Sequence, residues 1–391
     1  MRDSMLDEPA AYLFRVAQMP TYTAEEFEPM LRLLSLRFTG EVWSCGSYEA
    51  DILIGRMRLR VVKMRFRSRI SNFIPFARAV MRRARQLRAA PPAQRLVITS
   101  YDLVGGLLAW RVARLLGGAF ICEVNNSFGN PDNFAHVKSA VRARLLQLRT
   151  RLLGSFVLGK ADAVKLLFDG QLDGFVTLHP NTITRRFHDI TFIDRFHEGP
   201  EEPIILSAGF PFETKGMDLL VSAFTRIAAE FPGWRLVLIG HRVPQALQAY
   251  GLEHEQITAL PGITQSQFTQ WVSRCAIFAL TSRSEGIPRV LLEAAAAGKC
   301  RIATRVGGIP MIIEDGKDGL LVDKGNIDDL AAGLRALISD EQLRRRLAGE
   351  GQRRVARDFS EAAYLEHFEE MITATLQTSN LYTYGAIGNA Q

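Results

Sequence analysis

Apolar residues along this chain follow two rhythms. Short continuous runs, such as Cys275-Ala276-Ile277-Phe278-Ala279-Leu280, alternate with stretches in which apolar positions return every three or four residues. A continuous run between turn residues predicts a buried strand, and the slower period predicts an amphipathic helix. In the first half these rules predict strands at 12–17, 41–45, 95–100 and 119–124. They predict helices at 24–36, 72–88 and 103–116, the last stopped by Gly117-Gly118. The polar, turn-rich segment 195–203 interrupts the pattern. It restarts with strands at 204–207, 235–239 and 275–280 and helices at 217–231 and 290–297. Helices alternating with buried strands imply parallel sheets covered on both faces. The expectation is an α/β chain of two Rossmann-like domains, residues 1–200 and 201–375, facing each other across a cleft, with 376–391 as a loose tail. Ligand belongs in that cleft, at the strand C-terminal ends.

The segment after the 275–280 strand carries the most chemistry. Glu285-Gly286-Ile287-Pro288 turns the chain, and Pro288 suits the first position of the following helix, where its missing N–H costs nothing. Gly298 is a natural stop. A strand that runs through a glycine turn into a helix presents free backbone N–H groups and a positive dipole end, which favours phosphate. Gly286, Ile287, Pro288, Arg289 and Val290 are therefore candidate donor-binding residues. Glu285 and Glu293 bracket the turn but repel phosphate; carboxylates accept hydrogen bonds from hydroxyls, as on a sugar or ribose. Phosphate donors and hydroxyl acceptors in one turn predict a nucleotide-sugar.

The two glutamates, in the setting Ser-Glu-Gly-Ile-Pro-Arg-Val-Leu-Leu-Glu-Ala, resemble the donor-site signature of family 4 of the retaining glycosyltransferases, which have the GT-B fold. Ala208-Gly209-Phe210-Pro211-Phe212-Glu213-Thr214-Lys215-Gly216-Met217-Asp218 resembles that family's Gly-Arg-to-Lys-Gly segment. Thr304-Arg305-Val306-Gly307-Gly308-Ile309-Pro310 and Asp315-Gly316-Lys317-Asp318-Gly319-Leu320-Leu321-Val322 resemble the strand and turn that follow. The likeness is close over residues 203–359 and thinner before them. It implies that Lys215, beside Gly209, neutralises a leaving diphosphate, that Glu293 holds ribose hydroxyls and that Glu285 faces the transferred sugar. Asn125 stands where the family commonly has a histidine near the acceptor; an amide hydrogen-bonds a hydroxyl but is no base at neutral pH. The implied catalytic set is Lys215, Glu285 and Asn125. Phe210 replaces the family's arginine, Gln18-Met19-Pro20-Thr21 replaces a glycine-rich loop, and Met311 stands where an acid is frequent. Arg289 either supplies the missing positive charge or is an ordinary exposed helix residue. Gly307-Gly308 is either a donor-side loop or a structural turn. His136 reads as a surface residue.

Composition limits the alternatives. Over 391 residues the chain is 47% hydrophobic and 23% charged, as in soluble globular proteins. No apolar run approaches the roughly 18–20 residues of a membrane span. The first residues contain acids where a signal peptide needs an apolar stretch. Four scattered cysteines read as reduced thiols of a cytoplasmic protein. With no metal-ligand spacing among seven histidines and no Asp-x-Asp pair, neither metal nor cofactor is expected, and the substrate is a UDP- or GDP-sugar.

Charge adds a partner. The net +7 is uneven: residues 1–200 hold 29 Lys/Arg against 18 Asp/Glu. From Ile52 to Tyr101 there is no acid and there are thirteen bases. With Phe73, Ile74, Phe76, Val80 and Met81 on the predicted 72–88 helix, this stretch predicts contact with an anionic membrane surface. Nucleic acid fits poorly, because no binding motif or aromatic stacking pattern accompanies the charge. The resemblance implies hexosyl transfer, with retention, to a lipid-linked or polysaccharide acceptor in cell-envelope glycan synthesis, by a peripheral protein on the inner face of the cell membrane. Two other readings are a non-catalytic sugar-nucleotide-binding or scaffold subunit, and an epimerase or hydrolase of the same fold.

Overall fold

The computed structural model of the protein describes residues 8–17, 24–64, 69–125, 137, 139–187 and 199–385. The 18–21 loop, His136 and the 195–198 part of the expected boundary lie outside the described residues.

The first domain runs β1 (Tyr12–Val16), α1 (Ala24–Leu34), β2 (Thr39–Gly46), β3 (Ala50–Ile54), β4 (Met57–Lys63), α2 (Arg69–Ala89), β5 (Leu96–Ser100) and α3 (Leu103–Leu116). It continues through β6 (Ala119–Glu123), α4 (Ala140–Leu158), β7 (Ala163–Leu166) and β8 (Ile183–Arg186). Its sheet has the order β3-β4-β2-β1-β5-β6-β7-β8. All neighbours are parallel except β3 and β4, a hairpin turning at Gly55, which has φ +59°. This hairpin is absent from the expectations above.

The second domain runs β9 (Glu202–Ala208), α5 (Met217–Ile227), β10 (Arg235–Ile239), α6 (Val243–Ala249), β11 (Ile257–Leu260), α7 (Gln265–Arg274) and β12 (Cys275–Leu280). Then come α8 (Arg289–Ala296), β13 (Cys300–Thr304), α9 (Ile309–Ile312), β14 (Leu320–Val322), α10 (Ile327–Ser339) and α11 (Glu341–Asp358). All its strands are parallel, in the order β11-β10-β9-β12-β13-β14. The chain builds outward from β9 on one side and returns to build outward from β12 on the other. A crevice therefore opens between β9 and β12 at their C-terminal ends, where α/β sheets place ligands. Every residue of β12 is buried, as its unbroken apolar run requires in a sheet covered on both faces.

Residues 376–385 of the expected loose tail are helical instead, and 386–391 lie outside the described residues. α12 (Glu361–Gly385) is a helix that returns to the first domain. Its Tyr364, Phe368, Met371 and Ile372 join the core on one face of the first sheet with Phe38, Leu31 and Phe187. Phe368 meets Phe38 edge-on at 5.7 Å, and Arg95 donates to the Leu376 carbonyl at 2.5 Å. An apolar helix face stays folded only against a surface that it shields from water, and the first sheet supplies one.

The basic stretch also differs from its expectation. In α2, Phe76 and Val80 are buried in the core between helix and sheet, and of the apolar residues singled out only Ile74 is strongly exposed. Some of the arginines face acids from neighbouring strands. Buried Glu41 accepts from Arg83 Nε at 2.7 Å, Arg60 Nε at 3.1 Å and Tyr12 Oη at 2.9 Å. Asp51 pairs with Arg58 and Arg60 at 2.9 and 2.8 Å. Burial pushes the Glu41 carboxyl up, but the Arg83 hydrogen bonds and charge outweigh it and hold the group below its ordinary value.

Candidate active site

The crevice at the C-terminal ends of β9 and β12 is built from three connections, each shaped by glycine. After β9 the chain passes Gly209 at φ +147° and reaches Gly216 at φ +61°, where α5 begins. A side chain at Gly209 would lie 2.8 Å from Lys215 Cε, so glycine there leaves room for the lysine stem. A Cβ at Gly216 would clash with the Thr281 carbonyl, and Thr281 Oγ1 donates to the Gly216 carbonyl at 2.7 Å. These contacts seat the Lys215 loop on the end of β12.

After β12, Arg283 N donates to the Thr214 carbonyl at 2.8 Å, and the Arg283 guanidinium grips Asp218 at 2.8 and 2.6 Å. The turn then places Glu285 against Lys215, with Nζ to Oε1 at 2.5 Å. Ser282 Oγ donates to the same carboxylate oxygen at 2.6 Å. Pro288 is extended and directly precedes α8, one position earlier than expected. Gly298, at φ +66°, follows the helix as expected. The third connection, Gly307-Gly308 after β13, packs beneath this turn. Gly308 N donates to the Gly286 carbonyl at 2.9 Å, and a Cβ at Gly307 would clash with the Glu285 carbonyl. The glycine pair thus supports the backbone of the turn.

The N-termini of α5, α8 and α9 meet this site without a side-chain cap; α6 also lacks one, whereas α7, α10 and α11 are capped. Uncapped amides with a positive dipole end are a ready anion site. Glu293 lies in α8 and is 5% exposed, buried rather than open to solvent. Burial raises its carboxyl above the ordinary value, and Arg289, at 3.7 Å, works against that shift. Arg289 is therefore a partner of Glu293 and not an isolated exposed residue.

The first domain closes the other side. A Cβ on Gly286 would lie 3.0 Å from Leu167 Cδ1 and 3.1 Å from the Asn125 carbonyl, so the loops after β6 and β7 press against the Glu285-Gly286 turn. Asn125 follows β6 and donates through Nδ2 to the Tyr101 carbonyl at 3.0 Å. Thr214 Oγ1, Ser284 Oγ and Asn125 Oδ1 are buried without a hydrogen-bond partner among the described residues. Such oxygens call for an explanation, and a hydroxyl-rich or phosphorylated ligand offers one. The structure therefore brings together Lys215, Glu285, Gly286 and Asn125. Gly209, Ile287, Pro288, Val290 and Glu293 shape the surrounding walls. Phe210, half exposed beside the lysine loop, meets His241 edge-on at 5.3 Å. Ser282, Arg283 and His241 were not singled out beforehand; a hydroxyl directly after a buried strand was the available signal for Ser282.

A cysteine nucleophile does not fit. All four cysteines are buried, and burial pushes the thiols of Cys122, Cys275 and Cys300 up to about 12. Among the described residues, no group of three or more His, Cys, Asp or Glu is placed to hold a metal ion.

Residues 189–354 match the family described as glycosyl transferases group 1. That segment contains Lys215, Glu285 and Glu293. The chain is 35% identical over 169 residues to an exopolysaccharide phosphotransferase of Streptomyces coelicolor, across 41% of this chain and 18% of the relative. The chain thus spans well under half the length of that relative. Two solved structures have the same fold throughout. Sucrose-phosphate synthase from Thermosynechococcus elongatus superposes with a TM-score of 0.73 and 17% identity, over 97% of this chain and 100% of that one. Anabaena HepE in complex with UDP and glucose gives 0.71 and 15%, over 93% and 100%. The architecture is that of the GT-B glycosyltransferases: two Rossmann-like α/β domains across a cleft.

Proposed function

We propose that this protein transfers a hexosyl group from a UDP- or GDP-sugar to a lipid-linked or polysaccharide acceptor of cell-envelope glycan synthesis, with retention at the anomeric carbon. The observation that carries this reading is the Lys215–Glu285 pair at the switch point between β9 and β12, closed over by Asn125. The diphosphate takes the place of Glu285 as the partner of Lys215 and lies on the amides of the α8 N-terminus. Charge that develops on the leaving diphosphate is then met by a fixed ammonium and fixed dipoles, which act where the charge appears. Released from the lysine, Glu285 turns its oxygens to the sugar hydroxyls, with Ser282 steadying it. Glu293, buried on α8, accepts from the ribose. Asn125 offers its unpaired amide oxygen to a hydroxyl of the sugar or acceptor. The acceptor attacks on the face from which the diphosphate departs, and a diphosphate oxygen takes its proton. The reading needs no protein nucleophile and no divalent cation. The match to glycosyl transferases group 1 and the likeness to a UDP-bound fold support it.

Thermal-shift screening with a panel of nucleotide-sugars, followed by turnover of the stabilising donor with membrane extract as acceptor source, tests the proposal. Lys215→Ala is expected to lower turnover by about 100-fold or more with little change in melting temperature, and EDTA is expected to leave wild-type turnover intact. Turnover of the variant within a few-fold of wild type would overturn the donor-site assignment. Donor binding by the wild type without turnover would favour the sugar-nucleotide-binding subunit, for which Phe210 in place of an arginine and Asn125 in place of a histidine are the motivating features.

A further inference from the structure

One face of α4 is apolar and turned to solvent. Val141, Leu145, Leu148, Leu152 and Phe156 are 70, 62, 54, 64 and 45% exposed. At about 100° of rotation per residue, these spacings of three and four put all five on a single stripe. The opposite face packs inward, with Gly154, Val157 and Leu158 buried against the first domain. Both faces are therefore apolar, but among the described residues only one is packed against the protein. Arg142 and Arg149 run along one edge of the exposed stripe, and Arg144 and Arg151 along the other, each pair two turns apart. No Asp or Glu occurs from Asn133 to Ala161. The surface extends onto α3, where Trp110 meets Phe156 edge-on at 5.2 Å and Arg114 lies 5.5 Å from the Trp110 ring centre.

We propose that α4 docks the protein on an anionic lipid bilayer. The helix lies in the plane of the interface, with the five apolar side chains in the acyl boundary and the two arginine rows on headgroup phosphates. A helix with an apolar stripe and basic flanks has the chemistry of an interfacial anchor, and arginine stems extend readily to the headgroup level. Charge decides against a second copy of the chain as occupant. Two such stripes brought together would set arginine rows against arginine rows with no carboxylate between them. Charge decides equally for a bilayer with anionic headgroups, which answers every arginine of the rim. α2, the basic helix expected to serve this purpose, has turned its apolar face into the core.

The test is co-sedimentation of the full chain with vesicles of phosphatidylcholine alone and of phosphatidylcholine with phosphatidylglycerol, at low and high salt. Wild type is expected to bind the anionic vesicles at low salt and to release as salt rises, because the arginine contribution is screened. Leu148→Ser with Leu152→Ser, and separately Arg144→Glu with Arg151→Glu, are each expected to weaken binding by about ten-fold or more. These side chains are exposed, so melting temperature and donor binding should match wild type. Equal binding to both lipid types, no binding to either, or variants that bind as wild type would overturn the proposal. So would a concentration-dependent dimer in sedimentation equilibrium that the leucine variant abolishes. Vesicle binding is read without donor or acceptor, so its failure leaves the transfer reading standing, and the converse holds.

Discussion

The two domains share a sheet layout and gather charged side chains at the same place, the C-terminal ends of the central strands. They put that charge to opposite uses. In the first domain Arg15, Glu123 and Lys165 are 1, 0 and 0% exposed. Arg15 pairs with Glu123 at 3.0 Å and Lys165 with the same carboxylate at 3.5 Å. Lys165 Nζ also lies 5.0 Å from the Phe187 ring centre and 5.7 Å from that of Tyr364 on α12. In the second domain the side chains of Lys215 and Glu285 remain 19 and 9% exposed, in the crevice between β9 and β12. What separates them is the lid. Covered by α12, a cation–carboxylate cluster becomes an internal brace; open to a cleft, a similar pair is free to exchange one partner for a ligand.

The comparison breaks most decisively at Glu123. Glu123→Ala leaves Arg15 and Lys165 buried without their carboxylate, and a loss of about 3–5 kcal/mol in denaturant unfolding is expected, with donor affinity unchanged in the protein that remains folded. This is the reverse of the expectation for Lys215→Ala, which loses turnover and keeps its stability. A stability loss below about 1 kcal/mol at Glu123 would mean that the brace is not bearing strain. A middle-sized effect is expected at Gly286, where the domains touch. Gly286→Ala puts a methyl against Leu167 and the Asn125 carbonyl, so the cleft must open by a few tenths of an ångström. Turnover is expected to fall about ten-fold, since small displacements of a positioned group are costly, while X-ray scattering reports a slightly larger particle. Wild-type turnover would show that closure there is unimportant.

The smallest effect belongs to Glu293→Gln. The folded state holds the Glu293 proton more tightly than the unfolded chain does, so ionising this group opposes folding. Its unfavourable contribution is absent below the ordinary carboxylate value and grows as pH rises from there through the raised folded value. The glutamine variant should therefore melt no lower than wild type at neutral pH. The difference should shrink on acidification, as melting curves across that range would show. A variant that melts lower at every pH would give Glu293 a structural hydrogen-bonding role in place of the ligand role.

Much of the second domain was legible from residues. The strands at 235–239 and 275–280 have the predicted bounds, the Glu285-Gly286 turn follows the second of them as its local chemistry predicts, and Lys215 meets Glu285 where the family resemblance puts it. Less of the first domain was legible, for reasons that can be named. A helical period tells which residues share a face but not which face meets water, and on α2 the face of Phe76 and Val80 meets the core. α4 is apolar on both faces, so the sequence shows little periodic contrast there to predict a helix. α12 carries an ordinary apolar stripe, and nothing local reveals that it packs on a sheet built from the other end of the chain. Glu293 sits on the same helix as residues of the site, and only packing shows that it is buried.

The return of α12 also sets an order of events. Domains commonly fold as units while the chain is being made, the first ahead of the second. Here the first sheet emerges early, yet Phe38, Leu31 and Phe187 gain their contacts with α12 only after the whole of the second domain has been synthesised. The part made first is thus completed last, and its core lacks the α12 side chains while the second domain is being made.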